Sequence, residues 1–536
     1  MLGKRSAQRG LFEADNLYLD HVGRDSFYGF LASQRDQLFD DEEFADLYCL
    51  DNGRESVPPS LLATVLLLQT YDGVSDQEAK ERADFDLRWK VALGLEIEER
   101  LFAKSTLQLF RAHLVLHDQV RVVFEKSLEL ARQSGYLKSR RMRVALDTSS
   151  ILGRGAVKDT YNLLADGIVK LVQALAIDAG SGPEAWATAN GLERYFSSSI
   201  KGSAEIEWDD EAEKQVFLTG IVADADHLLE MTREAMGRHP KGSADSESLI
   251  KAAELLAQLL LQDVERTEEG ANIKEGVSRD RIASVHDPEM RHGRKSRSKR
   301  FDGHKAAVVV DTDTQLITAA TVLAGNAPDN REALELVEQT EKNAQVEVEE
   351  AIGDCAYGDG ATRQAFVDAG RKLTARVPGR PNGSHFPKEE FTIDVETRTC
   401  RCPAGHESRA LKRRGSRKTQ NGKSEPDLYF QFDAAVCTAC RLRASCVAAK
   451  SGKGRTVTLH PQELLLQEAR AFQKSAAYAP YRKLRQVAEH RLARLMQLGV
   501  RQARYFGRTK TLYQLLMAAT VANLTLIANQ TRLMQT

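Results

Sequence analysis

The sequence lacks the features that mark secreted, membrane-spanning and strongly charged proteins. No apolar segment follows the first residues, MLGKRSAQRGLFEADN, so no secretory signal is predicted. The longest apolar run, residues 515–528, is interrupted by Thr520, Asn523 and Thr525 and is too short to span a bilayer. The net charge of −1 excludes a global polyelectrolyte, so any nucleic-acid binding has to come from local basic patches.

Cysteine is also scarce, with seven residues in a chain of 536. We expect a cytoplasmic protein, whose reduced thiols are free or bind a metal rather than form disulfides. The glycines in ILGRGAVKDT are not followed by Gly-Lys-Ser/Thr, which excludes a nucleotide-binding phosphate loop. The content of 42% hydrophobic and 28% charged residues is that of a globular protein, and the length predicts several domains.

Two short apolar segments each end in an aspartate. RMRVALDTSS predicts a buried strand that presents Asp147 and then breaks into a Thr/Ser turn. EAIGDCAYGDG predicts a second strand that presents Asp354 in a Gly-rich turn. Alone, Asp147 is more typical of a turn cap. The repeated pattern favours a metal site instead, because hard divalent cations need oxygen ligands on rigid supports.

The order of predicted elements is strand, inserted helices, strand, strand, helix, strand, helix, strand. This order predicts an α/β fold with a mixed sheet of the ribonuclease-H type, in which the first and fourth strands can place Asp147 beside Asp354. The predicted parts are an N-terminal helical domain (1–140), a catalytic core (141–157, 276–378 and 461–536), an all-helical insertion (158–275) and a Cys-rich insertion (379–460). The N-terminal helices suit either DNA binding of the helix-turn-helix kind or packing and dimerisation.

Basic residues cluster in two places. The segment RHGRKSRSKR, residues 291–300, has six cations and no acid, which favours contacts to phosphates. Between Arg482 and Lys510, nine Lys or Arg residues surround one acid, Glu489. Glu489 either pairs with Arg485 one turn earlier or supplies a third metal ligand at the sheet edge. The predicted DNA-binding residues are Arg291, Arg294, Lys295, Arg297, Lys299, Arg300, Arg485, Arg501, Arg504 and Lys510.

Five cysteines lie in CRCPAGH and CTACRLRASC, on either side of a basic segment, 412–418, that is predicted to be a loop. Four thiolates in two pairs suit a tetrahedral zinc ion. The candidate ligands are Cys402, Cys437, Cys440 and Cys446, with Cys400 or His406 as substitutes. Because the spacing is irregular for a zinc ribbon, plain reduced cysteines are the alternative.

Taken together, the motifs resemble bacterial insertion-sequence transposases of the DDE, ribonuclease-H-like class, and most closely the insertion-sequence family 1182 group. The segments that carry the resemblance cover nearly the whole chain: PPSLLATVLLLQTYDGVSDQEA, ALDTSSILGRGAVKDTYNLL, FDGHKAAVVVDTDTQLITAATVLAGNAPD, GDCAYGDG, CPAGH, CTACRLRASC and RQVAEHRLARLMQLGVRQARYFGRTK.

The resemblance implies cleavage and strand transfer at terminal inverted repeats, with Asp147, Asp354 and Glu489 as a catalytic triad that holds Mg²⁺ or Mn²⁺. It implies double-stranded DNA, both terminal repeats and target, as the partner. Synapsis of two ends requires at least a homodimer in the active complex. A catalytically silent DNA-binding derivative and a structure-specific nuclease are the alternatives.

In related transposases the last helix carries Tyr, Arg, Glu and Lys at set spacings. Arg485 and Glu489 keep the Arg-x3-Glu part, Tyr481 is one position from the expected spacing, and Met496 stands where the Lys would be. Asp311, at the end of another predicted strand, is the reserve candidate for a misassigned acid.

Overall fold

The computed structural model describes the chain except for residues 7–9, 50–51, 238–243, 297, 380–381, 419–423, 449–451 and 536. The description is limited to the backbone at residues 244–245, 416–418, 424–426 and 531–535. Arg297, one of the predicted DNA-binding residues, therefore lies outside the described residues.

Helices form the first part of the chain, as predicted. Ser75 and Glu78 make a capping box at the start of one of them, and Gly73 ends the preceding helix with a φ of 69°, which glycine adopts without strain. The helices are α1 (Ala14–Val22), α2 (Phe27–Leu38), α3 (Pro59–Asp72), α4 (Asp76–Phe85), α5 (Leu87–Leu93), α6 (Lys104–Leu116) and α7 (Val120–Gln133), with a 3-10 helix at Asp41–Leu47.

The middle of the chain alternates between strands and helices. Its first part comprises β1 (Arg141–Leu152), α8 (Thr160–Asp178), α9 (Pro183–Ala189), α10 (Ile200–Ser203), α11 (Glu211–Met236), α12 (Ala244–Asp263), β2 (Val264–Thr267) and β3 (Gly270–Ile273). Its second part comprises β4 (Arg291–Arg294), β5 (Arg300–Asp311), β6 (Ile317–Ala324), α13 (Ala333–Ala344), β7 (Glu347–Ile352), α14 (Gly360–Asp368) and β8 (Lys372–Thr374).

The rest of the chain holds short strands and then helices. These elements are β9 (Thr392–Asp394), β10 (Thr399–Arg401), β11 (Glu407–Ser408), β12 (Leu411–Lys418), β13 (Ser424–Gln431), α15 (Ala434–Ala439), β14 (Thr456–Leu459), α16 (Glu463–Lys474), α17 (Tyr481–Leu495) and α18 (Arg508–Gln535). A π-helical segment, Met496–Val500, follows α17 and contains Gly499 at a φ of 90°.

The principal sheet is mixed, as the sequence predicts. β1 pairs in parallel with β7 and antiparallel with β5; β8 continues beyond β7, and β6 and β4 both pair with β5. The strands predicted to be first and fourth, β1 and β7, are therefore neighbours.

Strand pairing in the principal sheet and in two smaller sheets overturns three local predictions. The turn predicted after Asp147 is wrong, because β5 continues to pair with β1 from Asp147, opposite Val308, to Leu152, opposite Gly303. The segment 412–418 is not a loop but β12, which pairs with β13. The insertion 158–275 is not all-helical, because β2 and β3 form a hairpin within it. In each case a neighbouring strand supplies hydrogen bonds that the local sequence does not reveal.

Among the described residues, buried apolar side chains form four clusters, the smallest of which joins Ala14 of α1, Ala32 of α2 and Val91 of α5. The largest joins the N-terminal helices, the sheet and α18. The helical insertion and the Cys-rich segment each have a separate core. The apolar run predicted near the C-terminus belongs to a longer helix than expected: residues 508–530 are long and apolar enough to cross a membrane, with a mean hydropathy of 1.5. That helix packs against α3, α7 and β6 as a core element, and 78% of its most apolar window is buried.

Candidate active site

Asp147 and Asp354 occupy equivalent positions on neighbouring parallel strands. Ala145 pairs with Ile352, and each aspartate lies two residues beyond its member of that pair. Because paired strands lie about 5 Å apart, this register brings both carboxylates to one edge of the sheet. Asp147 is inside β1, whereas Asp354 follows the end of β7.

Asp147 lies in an environment that disfavours its charge. Its side chain is partly buried, and its Oδ1 accepts a hydrogen bond from the backbone N–H of Thr148 at 2.8 Å. Its pKa is raised to about 6, chiefly by burial and also by the charges of Asp354 and Glu489. The Thr148 N–H and Arg485 act in the opposite direction. Asp354 and Glu489 therefore both lie within electrostatic reach of Asp147.

Asp354 also has a local structural role. It caps the 3-10 turn Cys355–Tyr357, and its Oδ1 accepts a hydrogen bond from the backbone N–H of Ala356 at 2.8 Å. The capping role that the sequence suggested for Asp147 thus occurs at Asp354. This bond fixes the carboxylate with respect to the end of β7.

Of the two interpretations of Glu489, the structure shows the pairing with Arg485, and a role as metal ligand stays a prediction. Glu489 is exposed on α17, and Arg485, one turn earlier, forms an ion pair with it at 2.6 Å. The same helix packs against β1, β5 and β7, and Glu489 acts on the charge of Asp147. An exposed ion pair contributes little stability, so the pairing holds Glu489 only weakly.

Both ends of α17 are tied to the strands that carry the aspartates. At its start, the Tyr481 hydroxyl donates to Oε2 of Glu350 on β7 at 3.1 Å. Glu350 is buried, and its Oε1 lies 2.6 Å from the Thr374 hydroxyl and 2.7 Å from Lys372 Nζ. These contacts fix where the helix starts relative to β7 and β8.

Beyond the end of α17, the chain pairs with the last residue of β1. The backbone N–H of Leu152 donates to the carbonyl of Arg501 at 2.9 Å, and the N–H of Ala503 donates to the carbonyl of Leu152 at 2.8 Å. The position of Glu489 relative to Asp147 is therefore set from both sides.

Sequence reasoning missed Tyr357. Tyr357 ends the 3-10 turn that Asp354 caps, and the charges of Asp147 and Asp354 both act on its hydroxyl. Its ring is 2% exposed and packs on Gly353, where a Cβ would fall 2.8 Å from the ring. Burial, followed by the charges of Asp147, Asp329 and Asp354, raises its pKa well above the usual value. The phenol therefore stays protonated and can donate a hydrogen bond at this edge.

Lys305 and Asp329 were also missed. Lys305, opposite Ser150 on the adjacent strand, is nearly buried. Its ammonium donates to Asp329 Oδ1 at 2.6 Å and to the carbonyl of Ala327 at 2.7 Å. Lys305 is the first residue of the apolar segment KAAVVVD, and a cation there could have indicated an ion pair at the sheet.

The predicted DNA-binding residues lie in two regions. Four of them are exposed on the β4–β5 hairpin: Arg294, Lys295, Lys299 and Arg300. This hairpin is at the start of β5, several residues before Val308, which pairs with Asp147. Arg291 is partly buried and donates to the carbonyls of Pro288 and Met290, and burial lowers its pKa. Arg501, Arg504 and Lys510 are exposed after α17, whereas Arg485 is engaged with Glu489.

The candidate zinc ligands converge. Cys402, Cys437, Cys440 and Cys446 line one cavity of about 20 Å³, together with His406. Cys400 is instead fully buried in the adjacent apolar core, and burial raises its pKa to about 12, so it packs as an apolar side chain.

Among the residues that the structure describes, no group of three His, Cys, Asp or Glu side chains stands ready to hold a metal ion. The donor chemistry at the sheet edge nevertheless fits a hard divalent cation: the strand register brings the carboxylates of Asp147 and Asp354 to one edge, and the charges of Asp354 and Glu489 disfavour ionisation of Asp147. A bound cation would relieve that repulsion.

Comparison with protein-family models gives two matches. Residues 18–113 match a family described as a transposase domain (DUF772), and residues 401–528 match a family described as a transposase DDE domain. The second match contains Glu489 and much of the Cys-rich segment but neither Asp147 nor Asp354. No curated protein and no solved structure matches the chain.

Proposed function

The chain is an insertion-sequence DDE transposase, and we propose that it cleaves DNA at the terminal inverted repeats of an insertion sequence and joins the ends to a target. The catalytic residues of this proposal are Asp147, Asp354 and Glu489. The observation that supports it most is the parallel register of β1 and β7 in a mixed sheet, since Asp147 and Asp354 each lie two residues beyond the paired Ala145 and Ile352. Assignment to the insertion-sequence family 1182 group stays a prediction.

The three carboxylates would hold Mg²⁺ or Mn²⁺. When bound, a pair of such ions activates water or a 3′-hydroxyl and stabilises the oxygen that leaves phosphorus. Asp147 and Asp354 supply ligands from the rigid sheet edge. Glu489, released from its exposed pair with Arg485, completes the set from α17. Arg485 is then free to contact a DNA phosphate.

The exposed cations on the β4–β5 hairpin would bind the DNA backbone. Val308 lies opposite Asp147, and Arg300 is eight residues earlier on the same strand, so the hairpin extends roughly 25 Å along the sheet from the carboxylates. That distance equals several base-pair steps, so the hairpin suits a flanking part of the duplex. Its phosphate contacts would make affinity fall with salt.

The division into domains that the sequence predicts is part of this proposal. It is supported by the separate apolar cores of the insertion 158–275 and the segment 379–460. The N-terminal helices share a core with the sheet through α18, which favours packing over an independent DNA-binding domain. A homodimer would bring two ends together in the active complex.

The test is cleavage of duplex DNA that carries the ends of the element, with Mg²⁺ or Mn²⁺. Asp354→Asn and Glu489→Gln should abolish cleavage but retain binding in a gel-shift assay. Glu349→Gln, which alters an exposed acid of β7 that pairs with Arg141, is the matched control and should cleave normally.

Three outcomes would contradict the proposal. Retained cleavage in either site variant would remove that residue from the catalytic set. Cleavage by the wild-type protein without joining to a target would indicate a nuclease. Binding to the ends without cleavage in either metal would indicate a catalytically silent derivative.

A further inference from the structure

We propose that the Cys-rich module, residues 379–460, binds one structural zinc ion through Cys402, Cys437, Cys440 and Cys446. This inference concerns stability of the module and does not depend on the chemistry proposed at the sheet edge.

The first argument is the size of the core of the module. Its fully buried apolar side chains are few: Phe391, Ile393, Cys400, Phe430, Phe432 and Val457. The strands β9, β10 and β11 have only two or three residues each. Small modules with so little buried apolar surface generally need a crosslink, either a disulfide or a metal.

The second argument is convergence. The four thiols come from separate local elements: Cys402 follows β10, Cys437 lies in α15, and Cys440 and Cys446 flank the 3-10 turn Arg443–Ser445. All four line the same cavity of about 20 Å³. Apolar packing alone gives no reason for four cysteines from three elements to share one cavity wall.

The third argument is a pair of buried N–H groups without partners. Nη1 of Arg443 and Nε of Arg455 are buried and have no hydrogen-bond partner among the residues that the structure describes, and both side chains line the cavity. Buried polar groups in native proteins are almost always satisfied, so these two donors indicate a missing acceptor. Four thiolates around a divalent ion carry a net negative charge, and their sulfurs accept such bonds.

The backbone around Cys437 and Cys440 already forms hydrogen bonds that suit thiolate ligands of a metal. The N–H of Leu442 donates to Cys440 Sγ at 3.4 Å, and the N–H of Cys440 donates to the carbonyl of Cys437 at 3.4 Å. Hydrogen bonds from N–H groups to sulfur orient thiolate ligands towards a metal.

The thiols do not yet surround a single point, as the absence of any three-residue metal group among the described residues shows. Binding therefore requires the side chains to rotate towards the centre of the cavity. Zinc fits this donor set because it accepts four sulfurs in a tetrahedron at about 2.3 Å without redox chemistry. His406, on the same wall, is the competing fourth ligand.

The experiment is to purify the full chain without a metal-binding tag, dialyse it against a weak chelator and measure its zinc by mass spectrometry. We expect one zinc ion per chain. Exchange for Co²⁺ should give the visible absorption bands of a tetrahedral thiolate site. Cys437→Ser with Cys440→Ser should lose the metal, whereas Cys49→Ser with Cys355→Ser, at exposed cysteines elsewhere, should keep it.

If the Cys437→Ser, Cys440→Ser variant fails to fold, thiol titration of the native wild-type protein tests whether these cysteines hold the zinc ion. Zinc should then be released in step with modification of the cysteines of the module and not with that of Cys49 or Cys355. A native chain that retains no zinc and whose cysteines react without metal release would overturn the proposal. Loss of zinc in His406→Ala would overturn the ligand set.

Discussion

Replacing Asp147 with Asn should stabilise the protein at neutral pH while it abolishes catalysis. The pKa of Asp147 is raised from 3.8 to about 6, so the folded state holds its proton more tightly than the unfolded chain does. This rise in pKa corresponds to a loss of about 3 kcal/mol in the free energy of unfolding when Asp147 is ionised. Since Asp147 is only partly buried, we expect the variant to gain between about 1 and 3 kcal/mol at pH 7.

The pH dependence distinguishes this cause from a general effect of the substitution. Below about pH 4, Asp147 is protonated in both states, so it imposes no electrostatic penalty and the two proteins should be equally stable. Between about pH 4 and 6 the folded state binds more protons than the unfolded state, so wild-type stability relative to Asp147→Asn falls as pH rises. Above about pH 6 the difference is complete and constant.

The assay is the midpoint of thermal unfolding of both proteins across this pH range, with Asp209→Asn, a change at an exposed acid, as the control. Millimolar Mg²⁺ should raise the wild-type midpoint at pH 7 and leave Asp147→Asn nearly unchanged, because the cation removes the repulsion only where the carboxylate is present. A variant that is no more stable than wild type at pH 7, or equally more stable at pH 3.5, would refute the reasoning.

Three further predictions concern Tyr357, Tyr481 and the basic hairpin. Tyr357→Phe should retain DNA binding but slow cleavage about tenfold or more, because one hydrogen bond in the transition state is lost. Tyr161→Phe, in the helical insertion, should cleave at the normal rate, and equal rates for the two variants would exclude a role for the Tyr357 phenol. Tyr481→Phe removes a donor from buried Glu350 and should cost about 1–2 kcal/mol of stability; an unchanged unfolding midpoint would show that this bond does not hold α17. Replacing both Lys295 and Lys299 by Ala should weaken DNA binding and reduce the slope of log affinity against log salt by about 2, and an unchanged slope would place the DNA elsewhere.

Much of the site could be predicted because its residues follow short apolar strands. KAAVVVD and EAIGD are strongly patterned, and the predicted order of strand, strand, helix, strand, helix and strand agrees with β5, β6, α13, β7, α14 and β8 of the structure. Two apolar segments that end in aspartate already indicated a shared sheet edge. Their register, with Ala145 opposite Ile352, is a tertiary fact, because nothing within either segment specifies its partner.

Other features of the fold and the site depend on contacts between residues that are far apart in the sequence. The extension of β1 to Leu152 requires β5 as a neighbour, and the basic hairpin requires β4 at the sheet edge. Tyr357 was overlooked because an isolated tyrosine in a Gly-rich turn carries no sequence signal. Only folding places three carboxylates within electrostatic reach of its hydroxyl.

The sequence by itself determined the secondary structure of the strongly periodic segments, the acidic residues available at strand ends and the cysteine pairs, because these depend on patterns within a few residues. The tertiary structure alone decided that α17 is held between β1 and β7, that Glu489 pairs with Arg485 yet acts on Asp147, and that four cysteines line one cavity. The physical reason is that hydrogen-bond partners, burial and charge–charge distances are properties of residues brought together across hundreds of positions, and no local pattern encodes them.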